Sequence, residues 1–339
     1  MADIAARVGV SKALVSLVFR NAAGPSAETR KRVLAAADEL GYRVNRTAAM
    51  MTARRSHHIG VTINIRNSFH TEIAEKIVAA ADRAGYEVVL GAITPTHGEA
   101  KVIDTLLDFR CEGLLLLGPE LPTEKLTALG KQLPSVVIGR RVRANTLDVV
   151  RTADARGIGQ VVDYLVELGH RDVVHVSGGS GVIAADRRNG YLRAMRKNGL
   201  DAHADVIEGD FTESVGIVAA QRLLATELPT AIVCANDRVA VGVVDALRRA
   251  GVDVPGGVSV TGYDDSMLAQ LGHIDLTSVN QKPTEQADNA VAAVVDRLDN
   301  GRTDAQSAVL TPQLVVRTST APPRDAATAG GATPAPVAR

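Results

Sequence analysis

The chain contains 339 residues, of which 46% are hydrophobic and 3% aromatic, with no tryptophan. This length predicts two or three folding units, the apolar content argues against wholesale disorder, and the scarcity of aromatic residues argues against nucleic-acid binding by base stacking. The longest apolar run, 113–117, is far shorter than the roughly 20 residues of a membrane-spanning helix, and Asp3 and Arg7 interrupt any signal-peptide core. We therefore expect no membrane partner.

The net charge of zero hides an asymmetry between the two ends of the chain. Residues 1–60 hold ten Lys or Arg and four Asp or Glu, which is +6, whereas the remainder holds 28 basic and 34 acidic residues, which is −6. A basic head on an acidic body is typical of a DNA-binding segment joined to a domain that stays off DNA. A basic solvated face is the alternative.

The two cysteines, Cys111 and Cys234, both stand beside apolar runs. No second ligand lies at metal spacing, so we expect buried thiols in a reducing cytoplasm, with a disulfide or metal pair as the alternative. The chain also has no GxSxG motif, no P-loop and no paired metal ligands. We therefore expect no enzyme, no cofactor and no metal site.

The first 43 residues predict a small all-α unit. Three short helices are expected, at 2–8, 11–19 and 27–40. Gly9 ends the first helix, Ser11 can cap the second, and Ser26 can cap the third. Two short helices joined by a turn that contains glycine have the spacing of a helix-turn-helix. Residues 44–57 then predict a linker that is helical only when it is docked.

The segment 58–317 predicts an α/β domain with parallel sheets, because near-continuous apolar strands alternate with helices. Strands are expected at 59–65, 87–91, 113–117, 135–138, 172–176, 205–208, 230–234, 258–261 and 309–316. The alternation falls into two series, which predicts two lobes: roughly 58–155 plus 285–317, and 156–284. The tail, 318–339, has almost no large apolar side chain and is expected to be disordered.

Several motifs in a fixed order carry a resemblance to a known family. They are DIAARVGVSKALVSLVFR, SAETRKRVLAAADELGYRVN, ARRS before IGV, LGHRDVVHVSG, RRNGY, ANDRVAVGVVDALRRAG and VSVTGYDD. Each motif is weak alone, but their order and spacing over residues 2–317 are specific. The chain resembles the lac/gal repressor family, also called the purine-repressor family. The resemblance implies a helix-turn-helix headpiece, a body like the periplasmic sugar-binding proteins, and dimers on near-palindromic operators.

By that resemblance, helix 11–19 is the recognition helix and enters the major groove. Three residues fall where the family reads bases: Lys12, Ala13 and Leu17. Four residues are implied as phosphate contacts: Ser11, Ser16, Thr29 and Arg30. Leu17 replaces a frequent arginine, and Arg20 stands where asparagine is usual, with Asn21 next to it. The departure at Leu17 predicts an operator that differs from the common family type, and whether Asn21 substitutes for the usual asparagine stays open.

The linker resembles the family's hinge helix, which pairs with its copy in the minor groove and wedges an apolar side chain between bases. Met51 occupies the wedge position, where leucine is typical, and Asn45, Arg46 and Ala48 accompany it. Val44 replaces the usual proline. Ordinary linker residues are the alternative interpretation.

The resemblance also implies an effector site in the cleft between the lobes, at the carboxyl ends of strands. Four residues match it: Arg187, Phe211, Asn236 and Asp264. A guanidinium, an amide and a carboxylate around an aromatic face suit a polyhydroxylated ring such as a sugar. Phe69 and Arg140 are further candidates.

Three neighbouring positions are not expected to bind the effector. Asp237 is expected to cap the helix that follows it, and His170 to form a hydrogen bond at a helix end. Ala153 falls where an aspartate is frequent in the family, so we expect that local contact to be missing.

The resemblance therefore implies a DNA-binding transcriptional regulator, expected to be a repressor, which acts as a homodimer under the control of a small-molecule effector such as a sugar. Whether the effector induces or corepresses stays open. The alternative is a sugar-binding receptor module without operator binding, which Leu17 and Arg20 slightly favour.

Overall fold

The computed structural model describes residues 1–19, 22–42 and 55–324. The chain divides into two compact units, residues 1–56 and 57–339, which we describe separately. Most of the expected linker, 44–57, lies outside the described residues. None of the helices in the described ranges is both long and apolar enough to span a membrane.

The first unit is the three-helix headpiece. Its helices are α1 (Ala2–Val8), α2 (Lys12–Phe19) and α3 (Ala27–Glu39). Gly9 ends α1 with a left-handed φ of 74°, which glycine adopts without strain. Ser11 Oγ accepts from Leu14 N at 3.2 Å and Ser26 Oγ from Thr29 N at 3.2 Å, so both expected caps are confirmed. The small core consists mainly of Ile4, Val8, Val15, Val18 and Val33.

The second unit begins with an N-terminal lobe built on a six-stranded parallel sheet of order β11-β5-β4-β3-β1-β2. Its elements are β1 (His58–Asn64), α4 (Ser68–Arg83), β2 (Glu87–Ile93), α5 (Glu99–Asp108), β3 (Gly113–Leu117), α6 (Thr123–Gln132), β4 (Ser135–Ile138), β5 (Asp148–Thr152), α11 (Pro283–Asp299) and β11 (Ser307–Leu310). Apolar cores lie on both faces of this sheet.

The C-terminal lobe has a four-stranded parallel sheet of order β7-β6-β8-β9. Its elements are α7 (Asp154–Glu167), β6 (Val173–Val176), α8 (Val182–Lys197), a short 3₁₀ helix (Asp201–His203), β7 (Ala204–Ile207), α9 (Glu213–Leu224), β8 (Ala231–Cys234), α10 (Asp237–Arg249) and β9 (Ser259–Thr261). Beside it, β10 (Ser278–Asn280) pairs antiparallel with β12 (Gln313–Val315). The expected headpiece and two-lobed α/β body are confirmed, and both cysteines are buried free thiols.

The expected strand list omits β5. This strand places Asp148 and Arg151 among apolar residues, so the alternation of charge hides it from a search for apolar runs. Asp148 is only 1% exposed because Arg297 and Arg302 neutralise it. The N-terminal sheet therefore has an internal strand, next to the edge strand β11, that charge pairing and not only apolar packing keeps in place.

The expected strand 309–316 is in fact two strands in two different sheets. β11 ends at Leu310 in the N-terminal sheet, and β12 begins at Gln313 beside β10. Pro312 lies between them and has no N–H for a sheet hydrogen bond, so the ladder breaks there. The expected boundary of the N-terminal lobe at residue 317 is therefore wrong, because the chain already leaves that lobe after 310.

The expectation that disorder begins at Thr318 is also wrong. Ser319 is 2% exposed, donates from its hydroxyl to Val260 O at 2.6 Å and accepts from Thr277 N at 2.9 Å. His170 Nε2 pairs with Ala321 O at 2.8 Å. Polar hydrogen bonds and not large apolar side chains anchor this segment, so composition alone could not identify it. Residues 325–339 lie outside the described residues.

Candidate DNA-binding and effector sites

Helix α2 presents one polar, exposed face. Val15 and Val18 lie in the headpiece core. Ser11, Lys12 and Ala13 are exposed, and Ser16 and Leu17 are half-buried. The start of the helix therefore offers a cation and small side chains to solvent, as an element that enters a DNA groove must.

The two remaining described candidates for DNA contact lie on α3. Thr29 Oγ1 is 2.9 Å from Ser26 Oγ, and Arg30 donates to Ala22 O. Both side chains are half-buried. Six further candidates lie outside the described residues: Arg20, Asn21, Asn45, Arg46, Ala48 and Met51.

The centre of the candidate effector site is Arg187, which projects from α8 and is 4% exposed. Its Nε donates to Asp154 Oδ1 at 2.8 Å, and its Nη1 donates to Ala235 O at 2.6 Å. Nη1 also lies 3.6 Å from Asp264 Oδ1. The guanidinium thus joins helix α7, the end of β8 and the loop after β9.

Two aromatic rings surround the same guanidinium. Its central carbon lies 3.8 Å from the centroid of the Tyr263 ring and 5.8 Å from that of Phe211. A Cβ on Gly178 would lie 2.3 Å from the Phe211 ring, so only glycine allows the ring to lie this close to the end of β6. Phe211 therefore has the position of an aromatic wall next to the arginine.

Asn236 connects this wall to helix α10. Its Oδ1 accepts from Val239 N at 2.9 Å, which makes it the N-cap, and its Nδ2 donates to Phe211 O at 3.3 Å. The expectation that Asp237 caps the helix is wrong. Its buried carboxylate accepts hydrogen bonds from Ser266 N and Oγ and from Ser278 Oγ. These donors satisfy the carboxylate inside the lobe.

Asp264 has a left-handed backbone, with φ 114°. Its Oδ1 accepts from Gln281 Nε2 at 2.6 Å. Burial raises the pKa of Asp264 well above its usual range, against the attraction of Arg187. Burial also opposes ionisation of Arg187, but the neighbouring Asp154 and Asp264 outweigh it and raise the pKa of the guanidinium. Arg187 therefore remains charged in the closed interior.

The two candidates in the N-terminal lobe have other partners. Phe69 belongs to the core beneath the sheet and is 8% exposed. Arg140 donates to Pro119 O at 2.8 Å and to Leu121 O at 2.7 Å, and so supports the loop after β3. The structure therefore brings together Arg187, Phe211, Asn236 and Asp264, whereas Phe69 and Arg140 make contacts within the opposite lobe.

The two lobes touch across the cleft. Met267 N donates to Glu72 Oε1 at 2.7 Å, and Arg141 Nη2 donates to Asp186 Oδ1 at 2.9 Å. Ile183 at the start of α8 lies close to Gly118 at the end of β3, because a Cβ on that glycine would be 3.7 Å from it. In the described conformation the two lobes are therefore in direct contact at these three places.

Three residues of the cluster were not among the expected site residues: Asp154, Tyr263 and Gln281. Asp154 immediately follows Ala153, the position where the resemblance implies an aspartate, and it supplies a carboxylate from the neighbouring position. Tyr263 belongs to the GYDD motif. Gln281 directly follows β10, and no local sequence signal indicates that its side chain bonds to Asp264.

An exposed recognition-type helix on a small helical head, joined to a two-lobed body with a buried arginine centre, defines a ligand-responsive DNA-binding regulator. Comparison with known proteins identifies the family. Residues 1–45 match the family described as bacterial regulatory proteins, lacI family, and residues 162–320 match the periplasmic binding protein-like domain.

Similar proteins cover almost the whole chain. The HTH-type transcriptional regulator DegA of Bacillus subtilis is 30% identical, over 94% of this chain and 97% of its own length. A LacI transcriptional regulator from a Rhodococcus species is 40% identical, with a TM-score of 0.77, over 79% of this chain and 100% of that one. The lac repressor dimer bound to operator and the anti-inducer ONPF is 27% identical, with a TM-score of 0.79, over 94% and 98%.

The chain therefore belongs to the lacI family of DNA-binding transcriptional regulators and repressors, with an effector-binding domain of the periplasmic-binding-protein type. Members of this family regulate transcription and are not enzymes.

Proposed function

We propose that this chain is a repressor that binds a near-palindromic operator as a homodimer, in the compartment that holds the DNA. Its operator affinity is controlled by a small-molecule effector in the cleft, a sugar or a related polyhydroxylated compound. The carrying observation is the Arg187 cluster: a guanidinium, two carboxylates and an amide beside the Phe211 ring. Vicinal hydroxyls can both donate to the carboxylates and accept from the guanidinium.

The exposed start of α2 supports the DNA-binding half of the proposal. In this role Lys12 donates to a base edge, whereas Ala13 and Leu17 contribute only apolar contacts such as those with a thymine methyl group. Ser11, Ser16, Thr29 and Arg30 contact phosphates and set the register. Hinge residues Asn45, Arg46, Ala48 and Met51 act in the minor groove.

The contacts between the two lobes support coupling between the effector site and the DNA-binding site. Effector binding stabilises one arrangement of the lobes, which changes how the two N-terminal lobes of a dimer meet and therefore the spacing of the hinge segments. A useful response needs a coupling free energy of about 1–3 kcal/mol between the effector and the operator. The difference in effector affinity between the two lobe arrangements must supply it.

The test of the DNA-binding half begins with selection of duplexes by the full chain from random sequence. A selected near-palindrome should bind about 10³-fold or more tightly than a scrambled duplex, with affinity that falls steeply as salt increases. Lys12→Ala should weaken binding by roughly 5- to 150-fold and relax one base position, because a base contact is worth about 1–3 kcal/mol.

The control is Lys101→Ala, which removes an exposed lysine from α5 in the other unit and should leave operator affinity unchanged. Equal affinity for selected and scrambled duplexes, or no binding at low salt, would reject the repressor. The receptor module without operator binding would then be the better description.

A further inference from the structure

The charge of Arg187 is balanced inside the protein before any effector arrives. Asp154 accepts from its Nε at 2.8 Å, and Asp264 lies 3.6 Å from its Nη1. The residues Arg187, Asp154 and Asp264 are 4%, 3% and 5% exposed, respectively. The Asp154 carboxylate therefore already balances the charge of the guanidinium where water hardly enters, so that charge is not available to neutralise an incoming anion.

The contact between Arg187 and Asp154 is built into the packing of two helices. Asp154 is the first residue of α7, where the helix dipole favours a carboxylate. Gly190 lies one turn after Arg187 on α8, and a Cβ there would be 2.7 Å from the backbone of Ala155. Only glycine allows α8 to approach α7 this closely, so the ion pair is a fixed feature of the lobe.

We infer that Asp154 is a specificity-determining residue that restricts the effector to molecules without a negative charge. The inference rests on the proposed effector site. A carboxylate or phosphate of the effector would have to compete with Asp154 for Arg187, and would add a further anion to a poorly solvated site. An uncharged hydroxyl group instead donates to Asp154 or Asp264 and requires no displacement.

Two other arginines at the cleft are also occupied. Arg140 donates to two backbone carbonyl oxygens, and Arg141 pairs with Asp186 across the lobes. An anionic effector would have to break one of these contacts to pair with Arg140 or Arg141. The cations Arg140 and Arg141 on the N-terminal side of the cleft are therefore not freely available to an anionic effector either.

The test is a matched panel of pentoses, hexoses and disaccharides, each with its sugar acid and its phosphate ester. Binding to the full chain is measured by calorimetry, and operator affinity is measured in the same samples. At least one neutral sugar should bind, with its acid and phosphate ester at least 100-fold weaker. An anionic member that binds more tightly than its neutral counterpart overturns the inference, as does a panel without a neutral binder.

Absence of operator binding both without any sugar and with every member of the panel would instead contradict the proposed repressor, so the two failures are distinguishable. The decisive variant is Asp154→Asn, whose Oδ1 still accepts from Arg187 while the charge is removed. It should reduce the preference for neutral over anionic sugars by 10-fold or more. Asp154→Glu should keep that preference.

Asp163→Asn is the matched control, because Asp163 lies on the same helix and pairs with Lys197 at the surface. It should leave the preference unchanged. If Asp154→Asn weakens all sugars equally, Asp154 is only structural and the inference is wrong.

Discussion

Asp148 and Arg302 form a two-pronged ion pair: Nη2 donates to Oδ2 at 2.7 Å and Nη1 donates to Oδ1 at 3.1 Å. Arg297 adds bonds of 2.8 and 2.9 Å to the same carboxylate. Gln306 N, just before β11, donates to Asp148 Oδ1 at 2.7 Å. One buried carboxylate therefore connects β5 with the end of α11 and the start of the last strand of the N-terminal sheet.

This cluster predicts a dependence of stability on pH. Burial opposes ionisation of Asp148, but hydrogen bonds from Arg297 and Arg302 outweigh it and lower the pKa below its usual range. Its stabilisation is thus present above the unfolded pKa of about 4 and is lost as the pH falls towards the folded pKa. Asp148→Asn should lower the free energy of unfolding at pH 7 by about 3–5 kcal/mol and flatten the acid-side decline.

Urea unfolding between pH 2 and pH 7 measures both effects. The control is Asp288→Asn, which removes an exposed ion pair with Arg83 and should cost less than about 1 kcal/mol. Equal losses in the two variants, or an unchanged acid-side slope for Asp148→Asn, would contradict the role assigned to the cluster.

The geometry around Arg187 predicts that lysine cannot replace it. Arg187→Lys loses the Nε bond to Asp154 and the position of the guanidinium over the Tyr263 ring, so the buried carboxylate keeps only a poorer partner. We expect a loss of about 2–4 kcal/mol in the free energy of unfolding. Chemical denaturation of the full chain measures it.

The neighbouring residue supplies the matched control. Arg188 lies on the same helix, is half-buried with 37% of its side chain exposed, and pairs with exposed Glu208. Arg188→Lys should change the free energy of unfolding by less than about 1 kcal/mol. A comparable loss in both variants would mean that burial of Arg187 has no special consequence.

Short sequence patterns correctly predicted the helix caps and the apolar strands, whose formation depends on neighbouring residues in the chain. Ser11 and Ser26 cap the helices as expected, and apolar strands such as 113–117 lie at the centre of the sheet. β5 was not predicted because it contains the charged residue Asp148. The residues that neutralise Asp148, Arg297 and Arg302, lie more than a hundred residues later in the chain. A sequence window cannot detect such a partner.

The same distinction applies to the candidate effector site. Arg187, Phe211, Asn236 and Asp264 stand in recognisable motifs, and the structure brings them together. Asp154 differs, because its importance depends on the distance between two helices, which Gly190 sets. Whether these residues bind the effector stays a prediction.

The absence of tryptophan from the chain provides a direct probe of the effector site. Phe211→Trp would place a single indole beside Arg187, where a ligand ring is expected to stack. The fluorescence emission should change when a binding sugar from the panel is added. Phe109→Trp, which places the indole at a 57% exposed position at the end of α5, is the control and should not respond. A response of equal size from both variants would place the ligand elsewhere.

The segment after β12 predicts where the chain can be shortened. Val260 N donates to Ser319 O at 2.9 Å, and Ser319 Oγ donates back to Val260 O at 2.6 Å. A stop codon after Arg324 keeps these bonds, whereas a stop after Arg317 removes them and exposes the edge of β9. The shorter chain should melt roughly 5–10 °C lower, since each lost hydrogen bond costs about 1 kcal/mol.

A single substitution separates the hydrogen bonds from the loss of chain length. Ser319→Ala leaves Val260 O and Thr277 N without their buried partner and should reproduce part of the decrease in Tm. Ser307→Ala, at an exposed position on β11, is the control and should leave Tm nearly unchanged. Removing a buried hydroxyl that has two hydrogen-bond partners should lower the Tm. If both truncated chains melt at the same temperature as the full chain, the segment after Arg317 does not stabilise the lobe and the prediction is wrong.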